Sequence, residues 1–227
     1  MEETQLLYTS AMTRLLREPV NALTHGAGIV LAAALLPVLV WLSGGKPLPL
    51  AAALIFSISS IVLFSASSIF HSVQGGLRTI KAWRLVDHSA IYVLIAGTYT
   101  PVLLLALYPS KPTWALTLLI IVWFLAVLGI AAKVSWRGAP RWLSTALYLG
   151  LGWLAVLGGG PLLTALAGAP IWWLFAGGAA YTVGAVVYAT KWPRLWPGTF
   201  GFHELWHLFV LAGWACHAVV VWLLLLA

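Results

Sequence analysis

The sequence predicts an all-α membrane protein, a bundle of seven transmembrane helices with the N-terminus in the cytoplasm and the C-terminus outside. Three observations predict this fold class: the composition, seven long apolar segments and the placement of the basic residues. Of the 227 residues, 62% are hydrophobic and 7% are charged, whereas a soluble domain carries about 25% charged residues. The chain therefore cannot build a water-soluble surface. The lone Cys216 also excludes an intramolecular disulfide.

Seven segments have the roughly 20 apolar residues that a membrane-spanning helix needs. They are 20–42, 48–71, 85–107, 113–132, 141–157, 170–190 and 203–226. In chain order, the turn-forming stretches SGGKPLP, QGG, YPSKP and SWRGAP separate the first five. The fifth segment is short and ends in GGGPLL, and WPRLWPG separates the last two. Residues 1–19 are predicted to form a short cytoplasmic segment, and 20–227 the transmembrane domain.

Lysine and arginine orient the bundle. Ten of the twelve fall on one side of the seven spans: Arg14, Arg17, Arg78, Lys81, Arg84, Lys133, Arg137, Arg141, Lys191 and Arg194. The other side has Lys46 and Lys111. The positive-inside rule then places the N-terminus in the cytoplasm. The basic residues are confined to short loops between the spans, and the positive-inside rule therefore explains the net charge of +7 without a nucleic-acid partner. G-protein-coupled receptors have the opposite orientation, and retinal proteins carry a lysine in the last helix that this chain lacks.

Most ionisable residues of the spans lie at one depth. Every polar residue in this set is predicted to lie within roughly 10 Å of the cytoplasmic boundary. The set comprises Glu18, Asn21 and His25 of the first segment, His71 of the second, Asp87 and His88 of the third, and His203, Glu204 and His207 of the seventh. An ionisable residue inside a membrane is a functional-site hypothesis by default. We therefore expect a shared site between the second, third and seventh helices, with the first nearby.

Three histidines in this set suggest a zinc site. His203 and His207 are four residues apart and share a helical face, and His71 lies at the same depth on another helix. Catalytic zinc typically takes three protein ligands and keeps one position for water. Asp87 could serve as general base, and Ser67, four residues before His71, could orient water or substrate. Glu18, Asn21, His25 and Glu204 are expected to support the site.

Other interpretations of the same residues remain open. The histidines could be interfacial groups bonded to backbone, and Ser67 could serve close helix packing. Asp87 could pair with Arg84 one turn away, whereas His88 is expected to face another helix or the headgroups because adjacent helical residues diverge by about 100°. HELWH also matches the H-E-x-x-H metalloprotease pattern, with Glu204 as general base. No acid follows Glu204, so a third ligand would have to come from upstream.

Glu18 and Asn21 could instead be cap and dipole partners of the first helix, since Pro19 stands in its first turn. His217, about 15 Å beyond His207 along the seventh helix, is expected to be a packing residue with a backbone or serine partner.

Four motifs resemble the bacterial hemolysin III proteins, within the progestin and adipoQ receptor family that includes the adiponectin receptors. They are EPVNALTH, SSIFH, RLVDHSAIYVLIAGTYTP and GFHELWHLFVLAGWACH, in this order along the chain. The resemblance implies a seven-helix fold and zinc held by His71, His203 and His207, with Ser67 and Asp87 beside the metal's water. It also implies chemistry similar to that of ceramidases. The large cytoplasmic N-terminal region of eukaryotic members has no counterpart in the residues before the first segment.

The sequence therefore predicts a multi-pass inner-membrane protein that uses zinc to hydrolyse a lipid amide or ester, with a membrane lipid or acyl-chain substrate. The alternative is a non-enzymatic sensor or regulator of the membrane state, or a cytolysin-type protein, with a structural zinc. A transporter would place more charges deep in the membrane. The oligomeric state is left open.

Overall fold

The structure is a computed structural model, and it describes residues 16–136, 138–196 and 199–227. Most of the predicted segment 1–19 and Arg137 lie outside the described residues. The described residues form eight α-helices, two of which are continued by a short turn of another helical type. They are α1 (Pro19–Leu42), α2 (Pro47–Ser72), α3 (Leu77–Pro101), α4 (Pro112–Ser135), α5 (Arg141–Gly152), α6 (Gly159–Ala165), α7 (Ala169–Thr190) and α8 (Phe202–Leu226).

Seven stretches of these helices are long and apolar enough to cross a membrane, which confirms the predicted number of spans. The third span combines α3 with a π-helical turn, Val102–Leu107, that follows Pro101. The fifth combines α5, a 3₁₀ turn at Trp153–Gly158 and α6. The fifth span therefore does not end near residue 157 as predicted but continues to Ala165.

The third span begins at Leu77, eight residues before the predicted start at residue 85. The added turns contain Arg78, Lys81 and Arg84, which are poor membrane residues but good helix formers. Hydropathy marks where a segment enters the bilayer, whereas the helix itself continues into the polar region. These basic side chains consequently belong to α3 and not to a loop.

Local sequence accounts for several helix starts. Proline stands in the first turn of α1, α2, α4 and α7, where its missing N–H costs no hydrogen bond. At the start of α8 the Glu204 carboxylate accepts a hydrogen bond from the Gly201 N–H at 2.8 Å. This interaction satisfies one of the unpaired amides of the helix start.

Two apolar cores hold the bundle together. One joins α1, α2, α3 and α8, and the other joins the third span to α4, α5, α6 and α8. The third span contributes to both cores and is the most buried of the seven spans. Many large apolar side chains, such as Trp41 and Val30, are exposed, as expected of a surface that faces lipid.

One end of the bundle concentrates the basic residues of the chain. Here α1 and α8 begin and α2 ends, and Arg17, Arg84 and Arg141 lie at this end, which is called the basic end below. The segment before α1 is fixed to the last turn of α2, because the Glu18 N–H donates to the His71 carbonyl at 2.9 Å and Arg17 Nη2 donates to the Phe70 carbonyl at 2.6 Å. These bonds satisfy carbonyls that a helix end leaves unpaired.

Candidate metal centre

Three histidine side chains from two helices meet at the basic end. His71 lies in the last turn of α2, and His203 and His207 lie in the first turns of α8. Each offers one ring nitrogen, and these nitrogens all lie within 4.8 Å of one another. His71 and His207 are buried. The structure thus brings together the three histidines that the sequence singled out, in an arrangement that could hold a metal ion.

The orientation of the rings fits a metal. His71 Nδ1 lies 2.5 Å from Glu18 Oε2, which leaves Nε2 as the free nitrogen of that ring. That Nε2 lies 3.4 Å from His203 Nε2. Two imidazole nitrogens turned toward each other need a proton or a metal ion between them, because two lone pairs facing each other repel. An all-imidazole donor set suits borderline transition-metal ions such as zinc, copper or nickel.

Glu18 binds the far side of the His71 ring, a role that the sequence alone did not specify. Burial raises the pKa of Glu18, but the hydrogen bond to His71 and the charges of His71 and Arg17 outweigh it and bring the pKa to about 2. Arg17 Nη2 lies 3.4 Å from Glu18 Oε1. The carboxylate is therefore ionised near neutral pH. A carboxylate behind a ligating imidazole fixes the tautomer and orientation of the ring.

Asn21 connects α1 to α8 beside the histidines. Its side-chain amide donates to Glu204 Oε1 at 2.9 Å and to Glu18 Oε2 at 3.3 Å. Both Glu204 oxygens are thereby engaged, one by Asn21 and the other by the Gly201 N–H. This geometry does not favour Glu204 as the free general base of a metalloprotease. Glu204 instead fixes the start of the helix that carries His203 and His207.

His25 supports His207 from α1. The two rings stack with their centroids 3.8 Å apart and their planes 15° apart, and His25 also packs edge-on against Phe64. Glu18, Asn21 and His25 are separated by three and four residues, so they share one face of α1. That spacing was visible in the sequence and is the signal that relates all three to the site.

Ser67 and Asp87, the two predicted catalytic residues, are buried and line one cavity together with His203 and His207. Ser67 is one turn before His71 on α2, and Asp87 lies on α3. Asp87 is also close enough to His71 and His203 for their charges to interact. Four helices thus contribute polar groups to the basic end of this cavity.

Asp87 lies against its neighbour His88, which was expected to face another helix or the headgroups and which lines the cavity. Asp87 Oδ2 lies 3.1 Å from His88 Nδ1, and both residues line the cavity. Adjacent Cα–Cβ bonds do diverge on a helix, but the carboxylate and the imidazole are long enough to meet beyond the backbone. Among the described residues, the ion pair of Asp87 is therefore with His88 and not with Arg84, the partner considered from the sequence.

The cavity has a volume of about 480 Å³ and extends along the bundle from the histidines. Its middle is lined by apolar side chains such as Leu63, Ile91 and Ile95. Its far end reaches Tyr181 and His217, about 15 Å along α8 from His207. The volume is in the range of pockets that bind small molecules.

Tyr181 and His217 fit into notches between α7 and α8. A Cβ atom at Gly177 would lie 2.4 Å from the His217 ring, and one at Gly213 would lie 2.9 Å from the Tyr181 ring. The two rings pack edge to face, with centroids 5.4 Å apart.

The polar atoms of these two rings are buried without a well-formed hydrogen bond in the described part of the chain. They are the Tyr181 hydroxyl and both His217 nitrogens. The backbone of Leu174 still lies near enough to interact with the His217 ring. The backbone partner expected for His217 is thus present only as a loose contact.

Comparison with known proteins agrees with this architecture. The family model "Haemolysin-III related" matches residues 13–218. The chain is 40% identical over 201 residues to the hemolysin-3 homolog of Bacillus subtilis (strain 168), which covers 86% of this chain and 88% of that protein. It is 37% identical over 205 residues to hemolysin-3 of Bacillus cereus, with 89% of each chain covered. The chain is thus a multi-pass membrane protein that belongs to the haemolysin-III-related family, part of the progestin and adipoQ receptor superfamily.

Proposed function

We propose that this protein is an integral membrane zinc-dependent hydrolase that cleaves a lipid amide or ester. The observation that carries the proposal is the 3.4 Å separation of His71 Nε2 and His203 Nε2. Two nitrogens bound tetrahedrally to zinc at about 2.0–2.1 Å each lie about 3.3–3.4 Å apart. The spacing of these two rings therefore suits zinc.

His71, His203 and His207 would hold the metal, and Glu18 holds the His71 ring with Nε2 turned toward the other two. Three protein ligands are typical of a catalytic zinc site, whereas structural sites are closed by four. Bound zinc supplies Lewis-acid chemistry, since it polarises a carbonyl group and lowers the pKa of water to about 7.

Asp87 is the proton acceptor in this proposal. It lies in the same cavity as the histidines, and its Oδ2 atom is 3.1 Å from His88 Nδ1. The carboxylate would take the proton from the attacking water and pass it to the leaving amine or alcohol. Ser67 lines the same cavity one turn before His71 and would orient the water or the substrate carbonyl.

The cavity supports a lipid as substrate. Its polar groups concentrate at the basic end, and the apolar lining continues inward beside Ile91 and Ile95. An acyl chain would fill this apolar part and place its carbonyl carbon near the histidines. The spans lie within a bilayer, so a lipid can enter sideways without crossing water.

We also propose the bacterial inner membrane as the location, with the basic end at the cytoplasmic face. Ten of the twelve lysines and arginines support this orientation. Fusions to a reporter that is active only in the cytoplasm test it. A fusion after Lys191, which follows the sixth span, should be active, and a fusion at the C-terminus should be inactive. The opposite pattern of activities would contradict the orientation.

The test of the hydrolase is turnover of ceramide and of other acyl amides and esters by the purified, zinc-loaded protein. Asp87→Asn keeps the size of the side chain but removes its basicity. A general base contributes about 10²–10⁴-fold, so the rate should fall by that factor while the zinc content stays unchanged. No turnover of any acyl substrate by the wild type, or an Asp87→Asn rate equal to that of the wild type, would contradict the mechanism.

A second candidate function is a structural metal in a non-enzymatic membrane protein. The observation that favours it is that the three ligands join α2 to α8 and are supported by α1 through Glu18, Asn21 and His25. In that case zinc should raise the thermal stability by mass action, and the protein should bind about one zinc without hydrolysing any lipid. Measurement of both properties on one preparation separates the two functions.

A further inference from the structure

Three cationic side chains line the cavity outside the histidine cluster. Arg84 lies on α3, Lys133 on α4 and Arg141 on α5, and all three contribute to the cavity wall at the basic end. The ion pairs among residues 16–136, 138–196 and 199–227 involve Glu18 and Asp87, and none of them includes these three cations. One side of the cavity thus presents three positive charges that have no carboxylate partner among the described residues.

Within the described part of the chain, Arg141 packs against aromatic rings and forms no ion pair with an acid. Its guanidinium carbon lies 4.7 Å from the centroid of Tyr188 and 5.7 Å from that of Phe202. Its Nη1 atom is buried and has no hydrogen-bond partner in the part of the chain that the structure describes. Stacking of this kind orients a guanidinium but leaves its N–H groups free. A buried N–H without a partner is costly, so a ligand oxygen is the natural missing partner.

Lys133 and Arg84 surround the same region. Lys133 Nζ donates to Ser144 Oγ at 2.6 Å, and Ser144 follows Arg141 by three residues, on the same face of α5. Arg84 is close enough to Lys133 for their charges to repel. Asp87 lines the cavity too, but its carboxylate already lies against His88. An anion between the three cations would relieve the repulsion.

The positive-inside rule alone does not explain this arrangement. Five other described basic residues lie toward the same end without lining the cavity: Arg17, Arg78, Lys81, Lys191 and Arg194. Cations that serve only to orient the bundle need to reach the headgroups. Arg84, Lys133 and Arg141 instead border the space that would hold the lipid.

We propose that Arg84, Lys133 and Arg141 form a binding site for the phosphate group of an acyl lipid whose chain occupies the apolar part of the cavity. A planar guanidinium matches the oxygens of a phosphate, and several cations suit its charge. The inference rests on the proposed function and deepens it, because it names the substrate class as a phosphate-bearing lipid. It concerns binding, so it can be tested without turnover.

The test compares the Kd values of two ether-linked probes in a non-ionic detergent. One is ether-linked lysophosphatidic acid, and the other is the alkylglycerol with the same chain, which lacks the phosphate. Neither contains an ester or an amide that the protein could cleave. The phosphate probe should bind wild-type protein at least about tenfold more tightly, since hydrogen bonds to charged groups are strong.

Arg141→Gln should remove most of this preference and leave alkylglycerol binding unchanged. Arg194→Gln is the matched control, because it removes an exposed cation outside the cavity. If Arg141→Gln does not fold, Lys133→Gln takes its place. An equal preference in the wild type and the cavity variant would overturn the proposal, and so would an equal loss in the Arg194→Gln control, which would indicate diffuse attraction.

A competition experiment with inorganic phosphate distinguishes a lipid phosphate from free phosphate. At millimolar concentration inorganic phosphate should not displace the bound lipid probe, because it lacks the apolar chain. Full displacement would indicate a site for free phosphate and would overturn the lipid assignment. If the protein prefers the phosphate probe but hydrolyses no lipid, the proposed phosphate site stands and the proposed hydrolase function fails. If it hydrolyses uncharged amides and shows no preference for the phosphate probe, the hydrolase function stands and the phosphate site fails.

Discussion

Replacing Glu18 by alanine should weaken zinc binding about tenfold. The substitution removes the carboxylate that lies 2.5 Å from His71 Nδ1 and leaves the three ligands intact. Loss of a carboxylate behind a ligating imidazole typically costs about 10- to 100-fold in metal affinity. The Glu18 side chain is 39% exposed, so water can replace part of the interaction. We therefore expect the lower end of this range, about 1.4 kcal/mol.

Zinc affinity is measured by competition with a chromophoric chelator, using purified apoprotein in detergent. Glu204→Ala is the matched control, because it removes another carboxylate of the same network. Glu204 contacts Asn21 and Gly201 rather than a ligand ring. This control should lower the thermal stability through the lost hydrogen bond to the Gly201 N–H, by about 0.5–1.5 kcal/mol, and should change zinc affinity less than Glu18→Ala does. Equal zinc affinities for Glu18→Ala and the wild type would refute the role of Glu18.

Two further predictions concern the far end of the cavity. Gly177→Ala should lower the unfolding temperature, because its Cβ would lie 2.4 Å from the His217 ring and overpacking costs about 1–3 kcal/mol. Gly178→Ala is the control and should not lower the unfolding temperature, because the space around Gly178 is open. Equal unfolding temperatures for the two variants would contradict the packing of His217 against Gly177. Tyr181→Phe should leave thermal stability unchanged or raise it, since its buried hydroxyl has no partner among the described residues. Tyr148→Phe is the control: it removes a 2.9 Å hydrogen bond to a backbone carbonyl of α3 and should lower the free energy of unfolding by about 0.5–1.5 kcal/mol. A larger loss of stability in Tyr181→Phe than in Tyr148→Phe would contradict the prediction and show that the Tyr181 hydroxyl has a structural role.

The sequence predicted the spans well because hydropathy depends on local composition. The predicted limits were wrong where a helix extends beyond its most apolar residues or where its regular α-helical geometry is interrupted. Arg78 and Lys81 were assigned to a loop, although they form the first turns of α3. The fifth span was predicted too short, because its glycines interrupt the regular α-helix without ending the span.

Depth along the helices was enough to select His71, His203 and His207, because residues at the same depth on neighbouring helices can meet. Depth does not give the rotation of a helix about its axis. The contact between Glu18 and His71 and the stacking of His25 on His207 depend on that rotation. Only the spacing along α1 indicated that these side chains share a face.

The position of Arg141 between Tyr188 and Phe202 could not be predicted from the sequence, because it too depends on the rotation of the helices about their axes. Basic residues near a membrane boundary are expected from the positive-inside rule alone. Only the packing of α5 against α7 and α8 shows which of them face the cavity. The packing of the His217 ring against Gly177 likewise depends on how α7 and α8 are placed relative to each other.

The most direct test of the metal centre is the zinc content of the purified protein, measured by mass spectrometry for the wild type, His207→Ala and His217→Ala. His217 is the matched control, because it is a histidine on the same helix outside the three-histidine cluster. The wild type and His217→Ala should hold about one zinc per chain, and His207→Ala should lose most of it. A wild type without zinc after growth with the metal, or a His207→Ala variant that retains as much as the wild type, would contradict the account.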